Sequence, residues 1–209
     1  MEQQPESESL LGMYLASLPA NIFKTDLENL VASLKNDNSA IITKLTLEDE
    51  KINVGGVTVI KEGEFAGYIA EKDMAGYKWL TGDAQDERVH LDDSTIKITK
   101  SKPKMTFFEL NGKIYCQVNV KASASIESGG TFCPEKTKEL EQNFAQEIKE
   151  EMTRTFKTFQ RKYGVDALGL KEHMRKFHPR LYRSHAENWE QITLKPVVNL
   201  TLKSSGTVK

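Results

Sequence analysis

From Ile114 onward the chain alternates: Ile114, Cys116, Val118, Val120, Ala122, Ala124 and Ile126 take every second position, and Lys113, Gln117, Asn119, Lys121, Ser123 and Ser125 fill most of the places around them. A period of two belongs to an extended strand with one face on a core and the other in water. At about 3.3 Å per residue this strand runs roughly 40 Å, so it needs an apolar partner of matching length. The sequence supplies one. Leu140, Phe144, Ile148, Met152, Phe156, Phe159 and Tyr163 recur every three or four residues between Pro134, which suits a first helical turn, and Gly164, which suits a stop. That spacing predicts a helix over 134–163, roughly 43 Å long at 1.5 Å per residue. Laying it along the strand buries both stripes together.

The neighbouring segments extend the same layer. Asn111-Gly112 signals a turn before the long strand, and Ile96 and Ile98 alternate through Thr95 to Thr99. Pro103 then marks the end of that strand or a sheet edge. A shorter helical piece covers Leu168 to Phe177 and stops before His178-Pro179, after which Ile192, Leu194, Val198, Leu200 and Leu202 return to strand spacing, with Pro196 at an edge or bulge. The fold class expected for 86–209 is α+β, an antiparallel sheet packed against one long helix.

Residues 1–85 read as a smaller α/β-hairpin module, a partial domain. Leu10, Leu11, Tyr14 and Leu15 are spaced for a short helix ending near Pro19, and Leu27, Leu30, Val31 and Leu34 for a second over Asp26 to Leu34, with Thr25 placed to cap it. Ile52, Val54, Val57 and Val59 then form a β-rich run whose Gly55-Gly56 pair calls for a bulge or a close backbone approach. Lys61 to Glu64 supplies a turn, Phe65, Tyr68 and Ile69 a returning strand, Glu71 to Leu80 a short helix, and Thr81 to Glu87 a connector.

Composition narrows the function classes. The chain has 209 residues with 29 basic against 30 acidic side chains, so no net field draws a polyanion and nucleic acid is not implied. Apolar stretches such as Val54 to Ile60 fall far short of the roughly 18 residues of a membrane-spanning helix. The first residues are acidic at Glu2, Glu6 and Glu8, where a signal peptide would be basic. As written, the chain is expected neither to cross a membrane nor to direct its own export. Cys116 and Cys133 are too few for a zinc site or a disulfide framework and leave the redox compartment open.

No catalytic set assembles in the sequence. His173, His178 and His185 lack the spacing that puts two ligands and a base on one helix face, so no metal is expected. Cys116 falls among the inward residues of its strand, where a thiol is filler rather than nucleophile. Gly55-Gly56 lacks the further glycines and the Lys-Ser/Thr of a phosphate loop. The pairs Asp49/Glu50, Asp92/Asp93 and Glu150/Glu151 sit in polar stretches or on a helix face and read as solvated charge. No cofactor follows from any of these. Contact residues are the remaining candidates: Trp79 at the end of a short helix, and Leu181, Tyr182 and Trp189 in the segment after Pro179. Trp189 has two readings, a contact residue or a cap on the core beside the final strand.

The order of short motifs carries a family likeness. Ile52 to Ile60, then Glu64-Phe65-Ala66-Gly67-Tyr68-Ile69, then Trp79-Leu80-Thr81-Gly82, resembles the Ger(x)C family of spore-germination lipoproteins. Lys102-Pro103-Lys104, the long strand to Ile126-Glu127, Glu139-Leu140-Glu141, Phe159-Gln160, Asp166-Ala167-Leu168-Gly169 and the tryptophan before the last strand continue the likeness in order, over about residues 45 to 204. The likeness departs from the family near Pro179-Arg180-Leu181, where a family tryptophan position holds another residue.

The resemblance implies the C subunit of a nutrient germinant receptor. Such a subunit is not an enzyme; it is lipid-anchored on the outer face of the spore inner membrane and works with the A and B membrane subunits. It also implies that this chain is a fragment beginning inside the family's middle domain, without the lipid-bearing amino-terminal anchor. The alternative is an extracytoplasmic lipoprotein domain that binds a small ligand, which would need a cavity between sheet and helix.

Overall fold

The computed structural model describes residues 30–31, 33–35, 38–48, 51–129 and 134–203. A three-stranded antiparallel sheet is built from β1 (Ser39–Glu48), β2 (Lys51–Lys61) and β3 (Glu64–Ile69), in that order. A 3₁₀ turn (Glu71–Met74) and α1 (Ala75–Thr81) lead into β4 (Arg88–Leu91), β5 (Ser94–Leu110) and β6 (Lys113–Ser128). Helix α2 (Pro134–Lys157) continues as a π-helical segment (Thr158–Tyr163) and is followed by α3 (Leu170–Phe177) and α4 (Pro179–His185). A 3₁₀ stretch (Ala186–Gln191) precedes β7 (Thr193–Lys203), which completes a four-stranded sheet in the order β4-β5-β6-β7.

The strand and helix that dominate the sequence dominate the packing. Cys116, Val118, Val120 and Ala124 of β6 are wholly buried, as are Phe144, Ile148 and Met152 of α2, so the period-two face and the period-3.6 stripe meet as expected. The helix then serves a second core. Phe159 and Tyr163, with Val165 beyond them, close over Ile41, Val57, Val59 and Ile69 of the small sheet and Met74 of the 3₁₀ turn. The π-helical hydrogen bonding at Thr158 falls where the stripe passes from one core to the other, and the wider turn re-aims the side chains beyond it. Gly164, at φ 61°, ends the segment with its N–H on the Phe159 carbonyl. The Tyr163 hydroxyl donates to the Tyr68 carbonyl at 2.8 Å, and the Gln160 amide donates to the Ile192 carbonyl at 2.8 Å.

The last strand corrects one expectation. β7 pairs with β6 in parallel, from Tyr115 opposite Thr193 to Ser125 opposite Lys203, so the larger sheet is mixed rather than antiparallel. The cause is length. A helix as long as β6 carries the chain back to the end where β6 began, and the next strand must start there and run the same way. Pro196 accordingly lies on an edge strand. Pro103 does not end β5; it sits where β4, whose pairing stops at Arg88 opposite Lys97, no longer covers that side of the strand.

In the first part of the chain, β1 joins the expected hairpin as a third strand. Residues 30–31 and 33–35 are helical, in line with the second expected helix; the segment from Leu10 to Leu15 and the start of that helix lie outside the described residues. Gly56 explains its glycine. The register slips between Thr43/Val57 and Leu45/Val54, Gly56 takes φ 98°, and a Cβ there would stand 2.1 Å from the Ile69 carbonyl oxygen. Helix α1, placed by sequence before the boundary at residue 85, packs Trp79 and Leu80 into the larger core, together with Ala84.

Replacing Phe144 or Ile148 by alanine is expected to cost about 2–5 kcal/mol in denaturant unfolding. Lys121→Ala, on the wet face of β6, should stay within about 0.5 kcal/mol of the parent, and equal costs at the three positions would overturn the face assignment.

Candidate interaction surfaces

The four residues singled out by sequence do not share one environment. Trp79 is 2% exposed, and its indole N–H donates to the Glu151 carboxylate of α2 at 3.0 Å. The two helices approach so closely there that a Cβ on Gly76 would lie 2.2 Å from the Glu151 carbonyl oxygen. Burial pushes the Glu151 carboxyl above its ordinary range, against the opposing effect of the indole hydrogen bond. Trp79 is therefore a core anchor, because the short α1 has only its inner side against α2. Trp189, 9% exposed, belongs to the larger core, so the cap reading describes its position. The Lys171 ammonium stands 5.8 Å from its ring.

Leu181 and Tyr182 differ. Both are half-buried, resting on the larger core from α4, a helix with no fully buried residue. Arg180, Arg183 and Ser184 beside them are exposed. Phe177, 66% exposed at the end of α3, adds an aromatic group that sequence periodicity had absorbed into a helix. Asp166 begins this region by accepting the Leu170 and Lys171 backbone N–H groups, each at 2.8 Å, which gives the Asp166-Ala167-Leu168-Gly169 motif its role as a helix start.

Packing brings two of the three histidines together and leaves the third apart, His173 and His178 standing 6.2 Å from each other between ring centroids. His173 and His178 both lie against Phe107, with ring centroids 5.5 and 5.6 Å from it. His185 instead faces Glu109 at 3.5 Å. Desolvation, then the neighbouring His178, lowers the pKa of His173. Among the described residues no three His, Cys, Asp or Glu side chains gather as a metal site. Cys116 is fully buried and its thiol is pushed up to about 12 by desolvation, which keeps it neutral and unreactive. Cys133 and the Asp49/Glu50 pair lie outside the described residues. A cavity between Phe156, Leu170 and Trp189 measures about 10 Å³, room for one water at most.

Two further surfaces are open. On the outward face of the small sheet, Ile42, Phe65 and Tyr68 are exposed. The Phe65 and Tyr68 rings stand 4.7 Å apart and the Lys44 ammonium lies 4.2 Å from the Tyr68 ring. Along α2, Lys149, Thr153, Lys157 and Arg161 line an open groove with Pro196 of β7.

Fold and site together define an α+β protein of two sheets clamped by one helix, with its exposed chemistry in contact surfaces. Residues 55–206 match the family described as spore germination B3/GerAC like, C-terminal, and the chain belongs to that family. It is 24% identical over 206 residues to the spore germination protein YndF of Bacillus subtilis (strain 168), covering 88% of this chain and 49% of that protein. The chain thus spans about half the length of that curated relative. Among solved structures, the crystal structure of the GerBC protein superposes with a TM-score of 0.74 at 19% identity, over 88% of this chain and 65% of the other, and shares its fold.

Trp79→Ala should cost about 3–5 kcal/mol in denaturant unfolding, as removal of a core aromatic does. A thiol reagent should label Cys116 in the folded protein far more slowly than in urea. A Trp79→Ala protein as stable as the parent would return that residue to the surface.

Proposed function

We propose that this chain is the carboxy-terminal part of the C subunit of a nutrient germinant receptor. It acts without catalysis, by contact with the A and B membrane subunits, in a protein lipid-anchored on the outer face of the spore inner membrane. The family match over 55–206 carries the reading, and it covers most of the segment whose motifs resemble the family. Gly56 lies at the bulge of the small sheet, Asp166 at the start of α3 and Trp189 before β7.

Within that reading, Leu181 and Tyr182 of α4 are the partner-facing residues. They combine apolar contact area with partial exposure on a short helix, and exposed arginines flank them. Trp79 and Trp189 serve from inside, Trp79 by locking α1 to α2 and Trp189 by supporting the segment that carries α4. The 10 Å³ cavity beneath Trp189, between the end of α2 and the segment that leads into α3, is too small for anything beyond one water.

Co-purification of the intact lipoprotein with its A and B subunits tests the assignment. Tyr182→Ala and Leu181→Ala should reduce recovery of the complex and nutrient-triggered germination, while the melting temperature of the isolated chain falls by only a few degrees. Variants that fold, assemble and germinate like the parent would move the contact surface away from α4.

A further inference from the structure

The outward face of the larger sheet is a lysine surface. Between Lys97 and Phe108 the strand β5 directs Ile98, Ser101, Met105 and Phe107 inward, and its register with β6 and β7 fixes what lies opposite. The outward rows carry Lys100, Lys102, Lys104, Lys121, Lys195 and Lys203, all exposed. The other outward positions from Tyr115 to Ser125 of β6, and those opposite them apart from Lys97, are neutral, among them Thr106, Gln117, Asn119, Asn199 and Thr201; the next outward residue of β6 is Glu127. The carboxylates nearest this face are engaged at its β4 end, Asp86 with Lys97 at 3.2 Å and Glu127 with Arg88 at 2.7 Å. Glu109, on the other side of β5, faces His185. A chain with net charge −1 has thus gathered on one sheet face lysines that, among the described residues, have no carboxylate partner.

Stability does not account for this arrangement. Lys102 and Lys121 stand directly opposite each other in the β5–β6 register, and like charges so placed destabilise a sheet. One end of the face is apolar. Phe108 and Tyr115 stack with centroids 5.3 Å apart and planes at 16°, and Leu110 at the hairpin tip is 49% exposed. The Lys195 ammonium lies 4.2 Å from the Tyr115 ring and 5.4 Å from the Phe108 ring.

We infer that this face docks on an anionic lipid bilayer, with the lysines on phospholipid headgroups and the Leu110 tip at the headgroup boundary. Lysine is a flexible point charge that suits a fluid array of phosphates, and aromatic groups with polar handles settle at the same depth. The Lys203 to Lys195 span of β7, about 26 Å at 3.3 Å per residue, spreads the charge over an extended area suited to an array of headgroups rather than to one anionic group. Single-stranded nucleic acid would need open aromatic faces for base stacking, whereas Phe108 and Tyr115 are turned to each other and to Lys195. The inference stands on the sheet face alone and does not rest on the receptor reading.

Vesicle sedimentation with the 209-residue chain tests it. The chain should pellet with vesicles of phosphatidylcholine plus phosphatidylglycerol, not with phosphatidylcholine alone, and added salt should release it. Each neutralised lysine should weaken binding about fivefold, so K102Q/K104Q/K121Q should lose about a hundredfold. That variant should also melt at or above the parent temperature, since the opposed lysines are gone. The variant K149Q/K157Q/R161Q, in the α2 groove, should bind like the parent. Parental binding by the sheet variant would overturn the inference. So would equal binding to neutral vesicles, or binding to polyglutamate with none to phosphatidylglycerol, which would instead assign the face to an acidic protein.

Discussion

Everything in this fold depends on the apolar stripe of α2 and its π-helical extension. Phe144, Ile148 and Met152 cover β6, and Phe159 and Tyr163 cover the small sheet. A three-stranded sheet of this size is marginal until something packs on it, and the end of α2 supplies that packing. The same helix receives α1 through Gly76 and Trp79, and it fixes the start of β7 through Gln160. Its length also sets topology, since it returns the chain to the first end of β6 and so makes β7 parallel. One element therefore decides the direction of a strand, the seating of a second sheet and the burial of a tryptophan.

Period and punctuation were legible because each is a local property. The alternation of β6, the stripe over 134–163, the stop at Gly164 and the irregularity at Gly55-Gly56 need only neighbouring residues to be read. Strand direction is not local. The spacing of Ile192 to Leu202 is the same whether β7 runs with β6 or against it, and only the match of helix to strand length separates the two. The boundary drawn at residue 85 follows the polar connector over 81–87, and the packing of α1 before it on the larger core is likewise not a local property. β1 escaped notice because Ser39 to Glu48 mixes lysine, threonine and aliphatic residues around a bulge, which blurs a period of two.

Contact residues were harder to read than core residues. A tryptophan within a helix of only seven residues has little periodic context, so Trp79 looked free until α2 was seen against it. Leu181 and Tyr182 lie half-buried on α4, a short helix that follows Pro179 and carries no fully buried residue. Phe177 was hidden by the opposite error. It continues the spacing of α3, yet the helix ends there and leaves the ring 66% exposed.

Charge shows the limit of averages most clearly. Nearly equal numbers of acids and bases, 30 against 29, argue against a polyanionic partner only if the two signs are mixed in space. Here the strand period sorts them: Lys100, Lys102 and Lys104 fall two apart and so land on one face, and the register adds Lys121 and Lys195 from strands distant in sequence. The sorting needs no excess of lysine, only alternation and pairing. Paired strands then hold these charges at fixed spacing, which a loop or tail of the same composition could not do. The packing of α2 on the opposite side of that sheet holds these strands in register, so the clamp that stabilises the fold also fixes the spacing of its most charged surface.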